Sequence, residues 1–299
     1  MVILQVILPT FLIVGTGYLV GKIERFDPRT LSNLTIYVLT PSLVFHRLYV
    51  SPLNLTALGR IFLYAVAIVF VMFALAQISG HLLHLDQVNL STFTLTVALF
   101  NAGNMGLPVI LFGFGEQGLS VAVVLVVSHI LMTNTLGVFL AARARGNKTE
   151  ALKQIFLLPG LYAIASAFLL GQGGIALPKA ILQPVQLLGN AAIPVSTLIL
   201  GIQLSSSRIQ GDLRLTGLAS AFRLLVAPAL AAVLLPLFGF EGLAFRVLLV
   251  QSAMPSAVYS VILSSKFDAN ASLASTTVLV STLLSALTLS GLLLLTGLG

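Results

Sequence analysis

Residues 100–108 read Phe100-Asn101-Ala102-Gly103-Asn104-Met105-Gly106-Leu107-Pro108, and residues 251–256 read Gln251-Ser252-Ala253-Met254-Pro255-Ser256. Each stretch interrupts an otherwise apolar run. Proline removes a backbone donor and disfavours helix at the residue before it, and glycine loosens the turn that contains it. In hydrocarbon an unsatisfied backbone group costs several kcal/mol, so such a break must be buried in protein or line a wet cavity. Matched breaks in the two halves of a chain are the best sequence pointer to a transport site. Two broken helices meeting near the midplane are therefore expected. The alternative is a pair of proline kinks healed by neighbouring helices.

The surroundings of these stretches fix the class of protein. Of 299 residues, 58% are hydrophobic and 8% charged, with a mean hydropathy of +1.08. A soluble domain carries about 25% charged residues, so a soluble fold is excluded. A membrane helix takes roughly 20 apolar residues. Ten candidate spans fall near 2–21, 30–50, 59–82, 90–114 (interrupted), 117–142, 154–171, 184–204, 214–238, 243–265 (interrupted) and 271–297. Asp27-Pro28 is a good helix start, with a capping carboxylate before a proline. Met1 to Val20 carries no charge and the first basic cluster follows it, so this segment reads as a mature span and not a signal peptide. The predicted fold class is an all-α membrane protein of ten transmembrane helices.

Charge sets the expected orientation. A net charge of +7 would suggest nucleic acid in a soluble protein, but here Lys and Arg sit in loops and no nucleic-acid partner is expected. Odd-numbered connections hold ten of them (Lys22, Arg25, Arg29, Arg143, Arg145, Lys148, Lys153, Arg208, Arg214, Lys266) against three (Arg47, Arg60, Lys179) in even-numbered ones. The positive-inside rule then places the 1–2, 5–6 and 7–8 loops in the cytoplasm and both termini outside. The Arg143–Lys153 loop divides one polytopic unit into residues 1–145 and 146–299, five spans each, and an odd number per half inverts the second. Pro28, Pro41 and Pro108 match Pro178, Pro194 and Pro255 at separations of 150, 153 and 147, which agrees with an inverted repeat. With no cysteine, disulfides, thiolate metal centres and haem attachment are excluded; no cofactor or metal is expected.

At each break the helix end at or after the proline, around Pro108–Val109 and Pro255–Ala257, offers free N–H groups and about half a positive charge. Asn101, Asn104, Gln251 and Ser252 add neutral hydrogen-bonding groups. Such a site suits a small organic anion, whereas the opposing carbonyl ends could hold a cation.

The Asn-Ala-Gly-Asn-Met-Gly-Leu-Pro and Gln-Ser-Ala-Met-Pro stretches, with the Ser/Thr/Leu-rich last span, resemble the auxin efflux carrier family in its bacterial form, within the bile-acid, arsenite and riboflavin transporter-like group. The resemblance covers essentially the whole chain and puts Pro108 and Pro255 on the two crossover prolines. It implies ten helices, a scaffold and a transport domain, an elevator-like motion and carboxylate substrates. A central loop of about ten residues departs from the long loop of many plant members, so plant-type regulation is not carried over.

On these grounds substrate binding is expected at Asn101, Asn104, Gly106, Pro108, Gln251, Ser252, Pro255, Ser256 and Tyr259. His129, Asn134 and Arg223 are coupling or support candidates. All eight acids lie in loops or at helix ends, which lowers the case for a carboxylate-based proton antiport or sodium site. His129 reads as a histidine bonding a neighbouring helix or, more sharply, as a proton-sensitive group. Arg223 either pairs with a helix end or attracts substrate. Thr40-Pro41-Ser42 and Pro194-Val195-Ser196-Thr197 occupy matching places and either face the cavity or act as packing glue. His46, Arg47 and Arg246 read as snorkelling side chains. Gly113–Gly118 matches a dinucleotide fingerprint by letter only, because it lacks the strand that motif needs. Gly17-Tyr18-Leu19-Val20-Gly21 is weak evidence for a homodimer. The functional expectation is a secondary transporter of a small organic anion, working outward in a bacterial plasma membrane. A sodium-coupled carboxylate symporter and a non-transporting ligand sensor are the rivals; an intramembrane enzyme lacks its motifs.

Overall fold

The computed structural model describes residues 3–24, 26–51, 53–145 and 158–297, and of residues 3, 28, 29 and 135–145 the backbone alone. Lys148, Lys153 and the proposed boundary at 145/146 lie at or beyond the edge of the described residues. Helices run α1 over 3–23, α2 over 28–50, α3 over Leu55–Leu82, α4 over Gln87–Ala98 and α5 over 102–114. They continue as α6 over 116–145, α7 over Pro159–Gln172, α8 over Lys179–Ser205, α9 over 213–237, α10 over Gly242–Ser252, α11 over Tyr259–Lys266 and α12 over Ala271–Leu295. Among the described residues there is no strand beyond a single bridged pair. Among the described residues six helical stretches are long and apolar enough to cross a membrane: Leu4–Ile23, Leu55–Leu82, Ala102–Asn134, Lys179–Ser205, Leu213–Leu237 and Ala271–Leu295.

Local chemistry sets the helix boundaries. Asp27 accepts from the Thr30 N–H and hydroxyl at the start of α2, as Asp27-Pro28 predicts. Asn54, Asp86, Asp212 and Asn270 cap α3, α4, α9 and α12 through side-chain oxygens. Gly115 adopts φ 65° and ψ −161°, a backbone state open to glycine. It separates α5 from α6, so the expected turn falls within the fingerprint-like stretch, at Gly115 alone. Four prolines are absorbed in a regular way. Wide π-turns at 3–7, 35–39, 102–106 and 222–226 each end two residues before a proline: Pro9, Pro41, Pro108 and Pro228. Widening the turn accommodates the ring and the missing donor without ending the helix.

The molecule is apolar outside and carries buried hydroxyls within its apolar core, as a bilayer allows. Leu12, Phe70, Leu187 and Leu287 are exposed, while Thr92, Thr96, Thr277, Ser281 and Ser285 are buried. Their hydroxyls bond carbonyls three or four residues back, which hides the donor at little cost.

The helices pack in two groups. One contains α1, α2, α7 and α8; the other contains α3 to α6 and α9 to α12. In the first group α1 and α8 touch backbone to backbone: a Cβ on Gly17 would overlap the Leu198 carbonyl, and one on Gly201 the Val14 carbonyl. A Cβ on Gly21 would likewise meet Ser205. The Gly17–Gly21 pair is therefore packed within the chain against α8. Gly201→Ala should separate the two helices and destabilise the protein by about 1–3 kcal/mol, the usual cost of overpacking. The check is thermal unfolding of the detergent-solubilised protein.

Candidate functional site

α4 stops at Ala98 and α10 stops at Ser252, and the irregular segments that follow them meet. Phe100 and Ser256 form an antiparallel bridge: the Asn101 N–H donates to the Pro255 carbonyl at 2.8 Å and the Ala257 N–H to the Leu99 carbonyl at 3.0 Å. A break at membrane depth must satisfy every backbone group it frees. The Phe100 N–H donates to His129 Nε2 at 3.3 Å. The Ser256 hydroxyl donates to the Thr96 carbonyl at 2.8 Å, and the Ser256 N–H to Ser281 Oγ at 3.2 Å. Tyr64 and Ser252 share a hydroxyl bond of 2.6 Å.

Three carbonyls at these helix ends turn to one side chain. Arg223, in the π-turn of α9, is 0% exposed. Its Nη1 donates to the Val97 carbonyl at 3.0 Å, its Nε to the Met254 carbonyl at 3.1 Å and its Nη2 to the Ser252 carbonyl. The guanidinium carbon also lies 5.1 Å from the Phe100 ring centroid. Burying an ion costs several kcal/mol unless it is well paired. Here charge-assisted bonds to two helix C-termini supply the pairing. Of its two sequence readings, pairing with a helix end is the one observed.

The helix N-termini point the other way. The break precedes Ala102, six residues before Pro108, so the free N–H groups belong to Gly103, Asn104 and Met105 and not to Pro108–Val109. The π-turn is the physical reason: it houses Pro108 inside a helix that has already restarted. On the partner segment the helix resumes at Tyr259, beyond the expected Pro255–Ala257.

A cavity of about 630 Å³ lies against these two N-termini. On one side it is lined by Asn101, Gly103, Asn104, His129, Asn134 and Tyr259, and on the other by residues of α2 and α8, including Thr40, Ser196 and Gln203. It thus sits between the two helix groups. Asn33, Ser265 and Lys266 form its exposed end, and among the described residues Lys266 is the one charged residue in its lining.

Of the predicted site residues, Asn101, Asn104 and Tyr259 line the cavity, as do His129 and Asn134. Gly106, Pro108, Gln251, Ser252, Pro255 and Ser256 do not; they build the junction behind it. Gly106 leaves its Cβ position 3.4 Å from Gln251 Nε2, and Gln251 donates to the Ala102 carbonyl at 3.4 Å. Asn101 is 5% exposed and its Nδ2 has no partner among the described residues. Asn134 donates to the Ile130 carbonyl at 2.9 Å. Sequence reasoning passed over Ser32, Asn33, Tyr37, Gln203 and Lys266. Their signal was helical spacing: Ser32, Ile36 and Thr40, then Ser196, Ile199 and Gln203, then Tyr259, Ile262 and Lys266, face one cavity. Arg47 pairs with Glu116 across the two helix groups, and Arg246 donates to the Thr296 carbonyl at 3.4 Å. Neither is simply snorkelling.

An apolar exterior, polar interrupted helices and a cavity at their junction define a polytopic membrane carrier. The membrane transport protein family matches residues 2–293. The chain belongs to this family, the auxin efflux carrier group that its two motifs resemble. It is similar to an uncharacterized transporter from Methanocaldococcus jannaschii, 29% identical over 300 residues and 97% of each chain. A second uncharacterized transporter, from Methanothermobacter thermautotrophicus, is 28% identical over 296 residues and 95% of each chain. It is a transporter and not an enzyme.

Proposed function

We propose that the protein is a secondary carrier that moves a small organic anion, a mono- or dicarboxylate, outward by alternating access. The observation that carries this reading is the Asn101 amide: a buried donor without a partner among the described residues, in the cavity wall, beside the unbonded N–H groups of α5. A neutral donor set at a helix N-terminus binds a carboxylate and can release it. Lys266 at the mouth raises the local anion concentration. Asn104 and Tyr259 supply further hydrogen bonds, while Gly106, Pro108, Gln251, Ser252, Pro255 and Ser256 hold the junction.

In the same reading α4 with α5 and α10 with α11 are the fourth and ninth of ten spans in an inverted five-plus-five repeat, crossing at the Phe100–Ser256 bridge. The group of α1, α2, α7 and α8 is the scaffold, and the other helices move against it as an elevator. The open end of the cavity lies where the basic 1–2, 7–8 and 9–10 connections gather, the cytoplasmic side by the positive-inside rule, with both termini outside. An interior-negative potential favours anion exit by about 2.3 kcal/mol per charge per 100 mV, so efflux needs no coupling ion. Against the sodium-coupled alternative stands Arg223, whose guanidinium already bonds carbonyls at the two helix C-termini.

The test is flux in proteoliposomes. Malonate, acetate and benzoate, chosen to span dicarboxylate, monocarboxylate and aromatic acid, are first screened for a rise in melting temperature. Any that stabilises the protein should then show saturable, potential-driven flux. Absence of stabilisation and flux across all three classes refutes the anion reading.

A further inference from the structure

We propose that Arg223 is a tethered counter-cation, standing between the carbonyl ends of α4 and α10 where a free coupling ion would otherwise be held, so that the carrier works without sodium. Helix C-termini carry about half a negative charge each, and unwound backbone carbonyls at broken helices are the usual ligands of a coupling cation. Here the Val97, Ser252 and Met254 carbonyls all accept from one guanidinium. Among the described residues no carboxylate bonds it. The carbonyls would be orphaned without it: the Asn101 N–H that helix continuation would bring to Val97 goes to Pro255, and the Ser256 N–H that would reach Ser252 goes to Ser281. The charge is thus supplied by the fold itself, from a third helix, and cannot dissociate. The Phe100 ring faces the guanidinium at 5.1 Å, and both side chains are buried.

This rests on reading the chain as a carrier, yet its first readouts involve no transport, so the two can fail separately. Purified wild type should melt at the same temperature in sodium chloride and choline chloride, and should bind no radioactive sodium above background. Saturable sodium binding, or stabilisation by sodium over choline, overturns the proposal. Arg223→Ala should melt lower in choline and recover in sodium or dilute guanidinium; indifference to both cations overturns it. Should that variant fail to fold, Arg223→Lys must retain stability that Arg223→Met, equal in bulk but uncharged, loses. A methionine variant as stable as wild type would also be fatal. With malonate as the probe, wild-type flux should be equal in the two salts, whereas Arg223→Ala should gain at least tenfold from sodium or guanidinium. If malonate does not move while the binding and melting results hold, the substrate assignment fails and the counter-cation stands.

Discussion

Asn101→Ala is expected to abolish anion transport while leaving the protein folded, with a melting temperature at or above that of wild type. The reason lies in which atoms of Asn101 do what. Its backbone ties the junction together, donating to Pro255 and accepting from Gly106, and alanine keeps both bonds. Its side chain makes no capping bond to α5, and its buried Nδ2 is unsatisfied. An orphaned buried donor costs about 1–3 kcal/mol, so truncation removes a penalty from the empty protein. With a carboxylate bound, the same N–H would make a charge-assisted bond worth about 1.5–3 kcal/mol. That is about 10–100-fold in affinity. Asn101→Asp should be worse, because it faces the substrate with a like charge. Asn104→Ala, at the first free turn of α5, is expected to fail as well. Wild-type rates for the two alanine variants would show that the anion binds elsewhere. A large fall in melting temperature for Asn101→Ala would show that the amide is structural.

The sequence exposes the breaks well and their registration less so. Glycine, amide and proline density marks 100–108 and 251–256 because few arrangements tolerate those residues in hydrocarbon. The position of the first break within its stretch was not legible. Pro108 looks like the interruption, yet a π-turn absorbs it and the chain parts at Leu99–Asn101. Whether a proline kinks, widens or stops a helix depends on which neighbours can pair with the freed groups; here Pro255 and His129 accept from freed N–H groups and Ser256 donates to a freed carbonyl. Arg223 was ambiguous for the same reason. Its partners are main-chain carbonyls, which carry no residue-type signature, and Val97 lies 126 residues away. Small-residue spacing at Gly17–Gly21 shows that two backbones approach but not which two. The wall formed by α2 and α8 was visible as polar helical periodicity, but a single sequence does not say which polar stripe faces a cavity.

His129→Leu should both destabilise the protein and stop transport, and His129→Gln should restore much of each. The imidazole is buried between the junction and the cavity, its ring centroid 4.0 Å from that of Phe100. Nε2 accepts from the Phe100 N–H, so in this arrangement that nitrogen carries no proton; a neutral ring holds its proton on Nδ1. Leucine leaves the Phe100 N–H without a partner, at a cost of about 1–3 kcal/mol, and frees the segment that fixes Asn101. The side-chain oxygen of glutamine can accept the same bond. Protonating His129 would set a donor against the Phe100 donor and place a second positive charge one aromatic ring away from Arg223, so the geometry favours a positioning role over a proton relay. Flux driven by a potential should therefore be unchanged when a pH gradient is added, in wild type and in His129→Gln alike. The opposite pattern, with wild-type flux responding to the gradient and only that response vanishing in a well-folded His129→Gln protein, would make His129 the coupling group. Unfolding midpoints separate the two causes of a dead leucine variant: loss of the Phe100 bond must lower them, whereas loss of a proton carrier alone need not.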